Sequence, residues 1–179
     1  MDNSEKNVCI VGASGLLGSN VLKEALARGY KVNGTVRDVN APDKATFLNA
    51  LPNADQNLRL FESEMADAES FDNALSNVDC VFIACLIPVY KGPTGKPARE
   101  MDDEQGYEEI IMPTVNGCLN ILKSAARQGV KNVVICSSTS STNPVPPVPI
   151  KNEEDHWSDE NEQCRAKKYT SATKTVMEK

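Results

Sequence analysis

The sequence predicts an α/β fold of the Rossmann type, a doubly wound parallel sheet in three αβα layers. Short apolar runs with the length of buried strands alternate with segments whose apolar residues recur at helical spacing. A glycine-rich turn follows the first apolar run. No internal repeat or interdomain linker divides the 179 residues, which are enough for one full-sized core. We therefore expect a single dinucleotide-binding domain over residues 1–179.

The first βαβ unit is the clearest part of this pattern. Residues 8–11 form a continuous apolar run, as in a strand buried on both faces. Residues 16–28 carry apolar side chains at helical spacing, and Gly29 follows where a helix C-cap belongs. Residues 31–36 then form the second predicted strand.

The alternation continues to the end of the chain. Three further apolar runs predict strands, at residues 58–61, 78–84 and 131–136. Two helices are predicted between them: a short one at residues 70–75 with Ser70 near its N-cap, and a long one at residues 107–128. Pro113 indicates either a kink in the long helix or a later start. Loops are predicted at the proline-bearing residues 87–97 and 143–149.

Charge and hydropathy exclude several classes of partner. The formal net charge of -6 provides no general basic surface for nucleic acid or anionic lipid. No apolar run approaches the roughly 18 residues of a membrane-spanning helix. The polar residues 1–7 do not resemble a secretory signal. We expect a cytoplasmic protein that contacts neither nucleic acid nor membrane.

The six cysteines predict reduced thiols rather than a disulfide framework. Four of them, Cys9, Cys80, Cys85 and Cys136, lie in apolar runs or at their ends, where buried thiols of a cytosolic protein are common. The sequence has no Cys-x-x-Cys pair, and His156 is its single histidine. His156 is therefore interpreted as a loop residue, and no metal site is expected.

The strongest functional motif joins the first strand to the first helix. Three glycines have distinct roles in such a turn: the first permits a sharp bend, the second lets backbone approach a pyrophosphate, and the third allows close packing of helix on sheet. Amides at the helix N-terminus then face the phosphates. The motif predicts a dinucleotide site at Gly12, Ser14, Gly15, Leu16, Leu17 and Gly18.

The end of the second strand bears on the choice between NAD and NADP. An acidic residue there would bind the ribose 2′-hydroxyl, whereas arginine suits a 2′-phosphate. Arg37 follows the strand and Lys44 comes seven residues later, so a bidentate guanidinium and an ammonium are both available. Asp38 leaves the hydroxyl-binding alternative open. We expect NADP(H) as the cofactor.

Several stretches together resemble the extended short-chain dehydrogenase/reductases, in particular the dihydroflavonol 4-reductase, anthocyanidin reductase and cinnamoyl-CoA reductase group. The glycine spacing G-x-x-G-x-x-G is the first of them. The others, spread over residues 7–179, are Gly-Tyr-Lys-Val at 29–32, Thr-Val-Arg-Asp at 35–38, Pro-Thr-Val-Asn-Gly at 113–117, Leu-Asn-Ile-Leu at 119–122, Trp-Ser-Asp at 157–159, Cys-Arg-Ala-Lys-Lys at 164–168 and Lys-Thr at 174–175.

This resemblance implies a role for further residues. It places adenine at Glu64 and Met65, and the nicotinamide ribose and phosphates at Ala84, Cys85 and Leu86, with Cys136 and Ser137 also on the cofactor. It implies that Ser138 hydrogen-bonds the substrate carbonyl. It also implies that Lys174 holds the nicotinamide ribose and lowers the pKa of a catalytic tyrosine.

The sequence departs from the family at that tyrosine. The family has it four residues before the lysine, about 40° away around a helix, so that the charged lysine favours the tyrosinate. Here Thr170 occupies the position, and Tyr169 is about 140° from Lys174 on a regular helix. Either a bulge or an altered helix start brings Tyr169 back, or catalysis is impaired. A threonine hydroxyl is less acidic than a phenol and shorter in reach.

The second departure is length, since the resemblance implies more than a hundred further residues after Lys179 that supply the last strands and a substrate lobe. We expect a sheet lacking those C-terminal strands, with an unpaired edge and a tendency to self-associate. The leading hypothesis is an NADP(H)-dependent reductase of a small-molecule ketone or aldehyde, impaired in this chain. The alternatives are a non-catalytic NADP-binding or interaction module and, less favoured, an epimerase or dehydratase.

Overall fold

The computed structural model describes residues 3–86 and 91–179, apart from the side chains of residues 42 and 43. The chain divides into two compact units. The first contains residues 3–85 and Leu119–Cys136, and the second contains residues 86, 91–118 and Ser137–Lys179. The prediction of a single domain over residues 1–179 stays a prediction.

The first unit is built on a parallel sheet of five strands in the order β3-β2-β1-β4-β5. The strands are β1 Asn7–Val11, β2 Lys31–Val36, β3 Leu58–Glu62, β4 Cys80–Ile83 and β5 Asn132–Ile135. Each lies where an apolar run predicted it, and the order is the one that parallel strands adopt in a Rossmann sheet. The predicted fold class is confirmed.

Helices cover both faces of this sheet. Gly34 faces α1 (Leu16–Ala27), because a Cβ on it would contact Leu22 and Ala13. Its neighbour Asn33 points to the opposite face, where its Nδ2 donates to the Ala74 carbonyl in α4 (Asp72–Leu75) at 2.8 Å. The sheet is therefore the middle of three layers.

Buried apolar side chains of β1, β2 and α1 form the core of the first unit. Because β1 is central and parallel, four of its five residues are buried, which explains its unbroken apolar run. Gly29 follows α1 with a φ of +81°, the left-handed conformation predicted for it.

The remaining helices of the first unit differ from the sequence predictions. The helices α2 (Pro42–Asn49) and α3 (Ala54–Asn57) were not predicted, since neither has a clear apolar stripe. The helix predicted at residues 70–75 begins earlier, as a 3₁₀ turn over Ala68–Phe71 that leads into α4. Asp67 is its N-cap, accepting from the Glu69 amide at 2.9 Å, and Ser70, which was predicted near the N-cap, lies three residues later.

The second unit is helical. It contains α5 Asp103–Gly106, the first part of α6 (Met112–Arg127), α7 Glu160–Arg165 and α8 Tyr169–Glu178. Short 3₁₀ turns lie at Ala98–Glu100 and Thr139–Thr142. Of the two predicted loops, residues 143–149 contain no helix or strand, and residues 87–90 of the other lie outside the described residues.

The long predicted helix continues through Pro113 by means of a π-helical turn. This turn spans Tyr107–Ile111 and connects α5 to α6. Proline has no amide hydrogen and its ring crowds the carbonyl four residues earlier, so wider winding just before Pro113 relieves that conflict. The α-helical winding of α6 thus begins at Met112, later than the predicted helix start at residue 107, and the predicted kink stays a prediction.

The thiols are less uniformly buried than predicted. Cys9 and Cys118 are buried, whereas Cys80, Cys85, Cys136 and Cys164 are half-buried. Burial raises the pKa of the Cys9 thiol far above its usual value. In the described part of the chain, no helix is both long and apolar enough to cross a membrane.

Strand β5 forms one edge of the sheet and is unusually exposed. Val133 and Val134 are 39% and 48% exposed, although they point to opposite faces of the strand. An exposed apolar edge strand can pair with another chain.

Candidate functional site

The glycine turn lies at the carboxyl end of β1 and has no room for side chains at two of its glycines. Gly12 has a φ of +83°, and a Cβ on it would overlap the Cβ of Cys85. A Cβ on Gly18 would overlap the Gly12 carbonyl oxygen. The turn is held by Thr35 of β2, whose Oγ1 and carbonyl accept from the amides of Gly12 at 3.2 Å and Ala13 at 2.9 Å.

Gly15 differs from the other two glycines because the protein does not require it. Its φ is -78°, which any residue can adopt, and the nearest heavy atom to a Cβ would be the Gly12 oxygen at 3.4 Å. An alanine would therefore fit. The absence of a side chain here matches a group that approaches the backbone from outside, as the pyrophosphate of a dinucleotide does.

The N-terminus of α1 is arranged to bind an anion. Gly15 is the N-cap and provides no side-chain acceptor, and the first turn contains no acidic residue. Leu16 is 88% exposed, so this end of the 12-residue helix is accessible. Amides at such an end carry partial positive charge and favour phosphate. Together with Gly15, these features show that the turn fits the predicted dinucleotide.

Exposed cations follow β2 at the same edge of the sheet. Arg37 lies directly after the strand and Lys44 lies on α2. Within residues 3–86 and 91–179, neither side chain makes a hydrogen bond or ion pair. Asp38 instead uses Oδ1 to accept from the Asn40 amide at 2.8 Å, within its own turn. The Arg37 guanidinium is thus available for a phosphate, whereas the Asp38 carboxylate already accepts a hydrogen bond within its own turn.

The segment after β3 contains the residues to which the resemblance assigned adenine. Glu64 is exposed and Met65 is half-buried. Ser70 closes the segment, accepting from the Glu64 amide at 3.0 Å and donating to backbone carbonyls. The carbonyl of Met65 accepts from Asn120 Nδ2 at 2.9 Å.

The residues after β4 and β5 continue this edge. The amide of Ala84 donates to the Val11 carbonyl at 3.0 Å, and that of Cys136 donates to the Ile83 carbonyl at 3.1 Å. Cys85 lies against Gly12 and places its Sγ 3.9 Å from the Sδ of Met65. Parallel strands have their carboxyl ends at one edge of the sheet. The predicted cofactor residues that directly follow β1, β2, β3, β4 and β5 in the first unit therefore lie at the edge where Rossmann proteins bind ligands.

Lys174, in the second unit, is buried rather than solvated. It lies on α8 with 6% of its surface exposed, and its Nζ donates to the carbonyl of Leu86 at 2.5 Å. Lysine is rarely buried at this level unless it has a partner or a function. Leu86, to which the resemblance assigned a cofactor contact, is itself buried.

The serine pair assigned by the resemblance has one half-buried and one exposed member. Ser137 is half-buried. Ser138 is exposed and caps the 3₁₀ turn that follows it, its Oγ accepting from the amide of Ser140 at 3.2 Å and from the Ser140 hydroxyl at 3.0 Å. Because both bonds use Ser138 Oγ as acceptor, its own hydroxyl hydrogen can still be donated to a carbonyl oxygen.

Tyr169 is buried in the core of the second unit. It is 1% exposed, and a Cβ on Gly106 would overlap its ring. Its hydroxyl donates to the Asp102 carbonyl at 2.9 Å and accepts from Lys167 Nζ at 3.1 Å. Burial raises the pKa of this phenol, and the Lys167 ammonium opposes that shift.

The region around Tyr169 shows no bulge that would rotate it toward Lys174. The segment α8 is α-helical throughout, with Tyr169 as its first residue and Lys174 five positions later. A regular helix separates these side chains by about 140°. Thr170, at the position of the family's tyrosine, is half-buried.

The sequence analysis did not identify three residues that lie near these sites. Thr35 was hidden within an apolar strand, and its role depends on a partner 23 residues away. Asn120 is an asparagine in the middle of a predicted helix, where this residue type is unfavourable, and that position could have indicated a hydrogen bond to another segment. Cys118 is buried close enough to Lys174 that the ammonium partly offsets the upward shift that burial causes in the thiol's pKa.

These features define the class of the protein: a Rossmann sheet with a glycine-rich turn between its first strand and its first helix. Residues 12–176 match the family described as NAD(P)H-binding. The chain belongs to this family and to the extended short-chain dehydrogenase/reductases, so its cofactor class is a nicotinamide dinucleotide.

Curated relatives include plant reductases. Tetraketide alpha-pyrone reductase 1 of Arabidopsis thaliana is 39% identical over 142 residues, covering 79% of this chain and 40% of that protein. The bifunctional dihydroflavonol 4-reductase/flavanone 4-reductase of Malus domestica is 32% identical over 183 residues, covering 99% of this chain and 49% of that protein. The chain thus spans at most about half the length of these relatives. The predicted resemblance to the dihydroflavonol-reductase group is confirmed.

Solved structures show the same fold. Vestitone reductase from alfalfa (Medicago sativa) superposes with a TM-score of 0.67 at 27% identity, covering 96% of this chain and 50% of that one. Gre2 from Candida albicans, solved in complex with NADPH, has a TM-score of 0.70 at 23% identity, covering 97% and 51%.

Proposed function

We propose that this chain binds NADP(H) and reduces a ketone or aldehyde group of a small molecule, with a rate limited because Thr170 occupies the position of the family's catalytic tyrosine. The observation that carries the proposal is the glycine turn. Its backbone would accept a larger residue than glycine at position 15, and the first amides of α1 have no side-chain cap. Relatives that are named as reductases support the reaction class.

The preference for NADP(H) rests on Arg37. Its guanidinium is exposed at the carboxyl end of β2, and Asp38 is engaged with its own turn. Arginine binds phosphate through two parallel hydrogen bonds, so a 2′-phosphate adds a charge-assisted contact that NADH cannot make.

The chain's own residues have limited acid–base capacity. Bound NADPH supplies a hydride to a carbonyl carbon. Ser138 can donate its hydroxyl hydrogen to the carbonyl oxygen and so orient it, and Lys174 holds a positive charge in a buried position. Neither replaces a phenol next to an ammonium, and positioned acid–base groups contribute about 10²–10⁴ in rate.

A second candidate is a non-catalytic NADP-binding or interaction module. The placement of Tyr169 favours it, since the hydroxyl that could serve as acid is bonded to Asp102 and Lys167 in the core. This candidate and the reductase share cofactor binding and differ in turnover.

Two measurements separate these functions. In a fluorescence titration, the wild-type chain should bind NADPH more tightly than NADH. Arg37→Ala should weaken NADPH by about 1.5–3 kcal/mol and leave NADH unchanged. Equal losses for both cofactors would contradict the NADP(H) assignment, and absence of binding would contradict the proposal as a whole.

Turnover is then tested with a panel of small ketones and aldehydes, following NADPH consumption. Slow reduction that increases in Thr170→Tyr, which restores a phenol four residues before Lys174, supports the reductase. Tight NADPH binding without turnover in either protein supports the non-catalytic module.

A further inference from the structure

One hydrogen bond connects α6 to the segment after β3, far away in sequence. The Nδ2 of Asn120 donates to the carbonyl of Met65 at 2.9 Å, across 55 residues. Asparagine is a poor helix former because its amide competes for backbone groups. Its position inside a 16-residue helix is explained by a bond that leaves the helix.

Met65 is held from more than one side. Ser70 closes the base of its segment by binding the backbone of Glu64. The Sδ of Met65 lies 3.9 Å from the Sγ of Cys85, whose Cβ packs against Gly12. Asn120 therefore fixes the backbone of a residue that also contacts the neighbour of the glycine turn.

We infer that Asn120 is a positioning residue for the adenine end of the cofactor and acts through the backbone of Met65. The inference rests on the proposed NADP(H) binding. In a Rossmann sheet the dinucleotide lies across the carboxyl edge, and its adenine half lies over the first βαβ unit and its neighbours. A segment ordered before binding does not lose conformational entropy when the ligand arrives, which strengthens affinity.

The test uses the full 179-residue chain and three ligands in calorimetric titrations: NADPH, adenosine 2′,5′-bisphosphate as its adenine half, and reduced nicotinamide mononucleotide as its other half. Asn120→Ala should weaken NADPH and the bisphosphate by the same factor, about 2- to 12-fold, which is the equivalent of one neutral hydrogen bond. Binding of the mononucleotide should not change.

Two variants serve as controls. Asn120→Asp keeps the size of the side chain but has no donor for the carbonyl when ionised, so it should lose at least as much affinity as Asn120→Ala. Asn132→Ala removes the same kind of bond, from Asn132 Nδ2 to the Asp79 carbonyl at 3.0 Å, at the opposite end of the strands. It should bind all three ligands like the wild type.

The outcomes are distinct. Unchanged bisphosphate binding in Asn120→Ala, with a wild type that binds NADPH, overturns the inference and leaves the proposed function standing. Equal weakening of the bisphosphate and the mononucleotide indicates a general structural role and also overturns it. A wild type that binds neither NADPH nor the bisphosphate overturns the proposed function, and the inference with it.

Discussion

Replacing Gly15 by alanine should separate cofactor binding from folding. Gly15 has a backbone conformation that alanine adopts freely, and a Cβ there would lie 3.4 Å from the nearest protein atom. The new methyl group would therefore be tolerated by the protein. It would project where backbone must approach a pyrophosphate.

The expected change in stability is small because two effects oppose each other. Restricting the unfolded chain by glycine to alanine at a compatible site stabilises by about 0.4–1 kcal/mol. Alanine is a poorer N-cap than glycine, which costs about 0.5–1 kcal/mol. The net change in unfolding free energy should stay within about 0.5 kcal/mol, or about 2 °C in Tm for a chain of this size.

The expected loss of affinity is large. Displacing the pyrophosphate from the helix N-terminus removes hydrogen bonds to a charged group, each of about 1.5–3 kcal/mol. NADPH and NADH should therefore both bind at least about 10-fold more weakly to Gly15→Ala. Fluorescence titration and calorimetric unfolding provide the two measurements.

Gly18→Ala is the matched comparison. A Cβ at Gly18 would overlap the Gly12 oxygen, so this variant should lose about 1–3 kcal/mol of stability as well as cofactor affinity. If Gly15→Ala binds both cofactors like the wild type, the reasoning that assigns Gly15 to a pyrophosphate is refuted. If it unfolds as readily as Gly18→Ala, the claim that the protein tolerates a side chain there is refuted.

Three further predictions concern the core, the sheet edge and acid stability. Tyr169→Phe should lower the unfolding free energy by about 1–2 kcal/mol through the lost hydrogen bond to the Asp102 carbonyl. It should leave any NADPH-dependent turnover unchanged, and abolished turnover would show that the Tyr169 phenol acts in catalysis. Val134→Lys adds a charge to the exposed edge strand β5 and should reduce self-association measured by light scattering. A wild type that is monomeric at every concentration would contradict the prediction that this edge pairs with another chain. The Arg127 guanidinium, with a bond from Ser124, holds the pKa of Asp72 below its usual value, so this carboxylate's contribution to stability is present above about pH 4 and lost as pH falls through the lowered pKa. Asp72→Asn should flatten that part of the acid-unfolding curve, and an unchanged curve would contradict the assignment.

The sequence by itself determined the first βαβ unit, its glycine turn and the parallel sheet. Strand β2 occupies residues 31–36 as predicted, and α1 begins at Leu16. These features are local: apolar periodicity and glycine spacing express burial and turn geometry over a few adjacent residues. The resemblance to reductases carried the assignment of Lys174, which local pattern alone would place on a solvated surface.

Only the tertiary structure decided how the polar side chains are used. Tyr169 is a core residue because Gly106 makes room for its ring and the Asp102 carbonyl accepts a hydrogen bond from its hydroxyl, and both partners are more than 60 residues away. Lys174 is buried against the Leu86 carbonyl, 88 residues away. Asn120 Nδ2 donates to the Met65 carbonyl across 55 residues. Each of these roles depends on a partner that the fold brings near, and periodicity along the chain contains no information about which distant groups will meet.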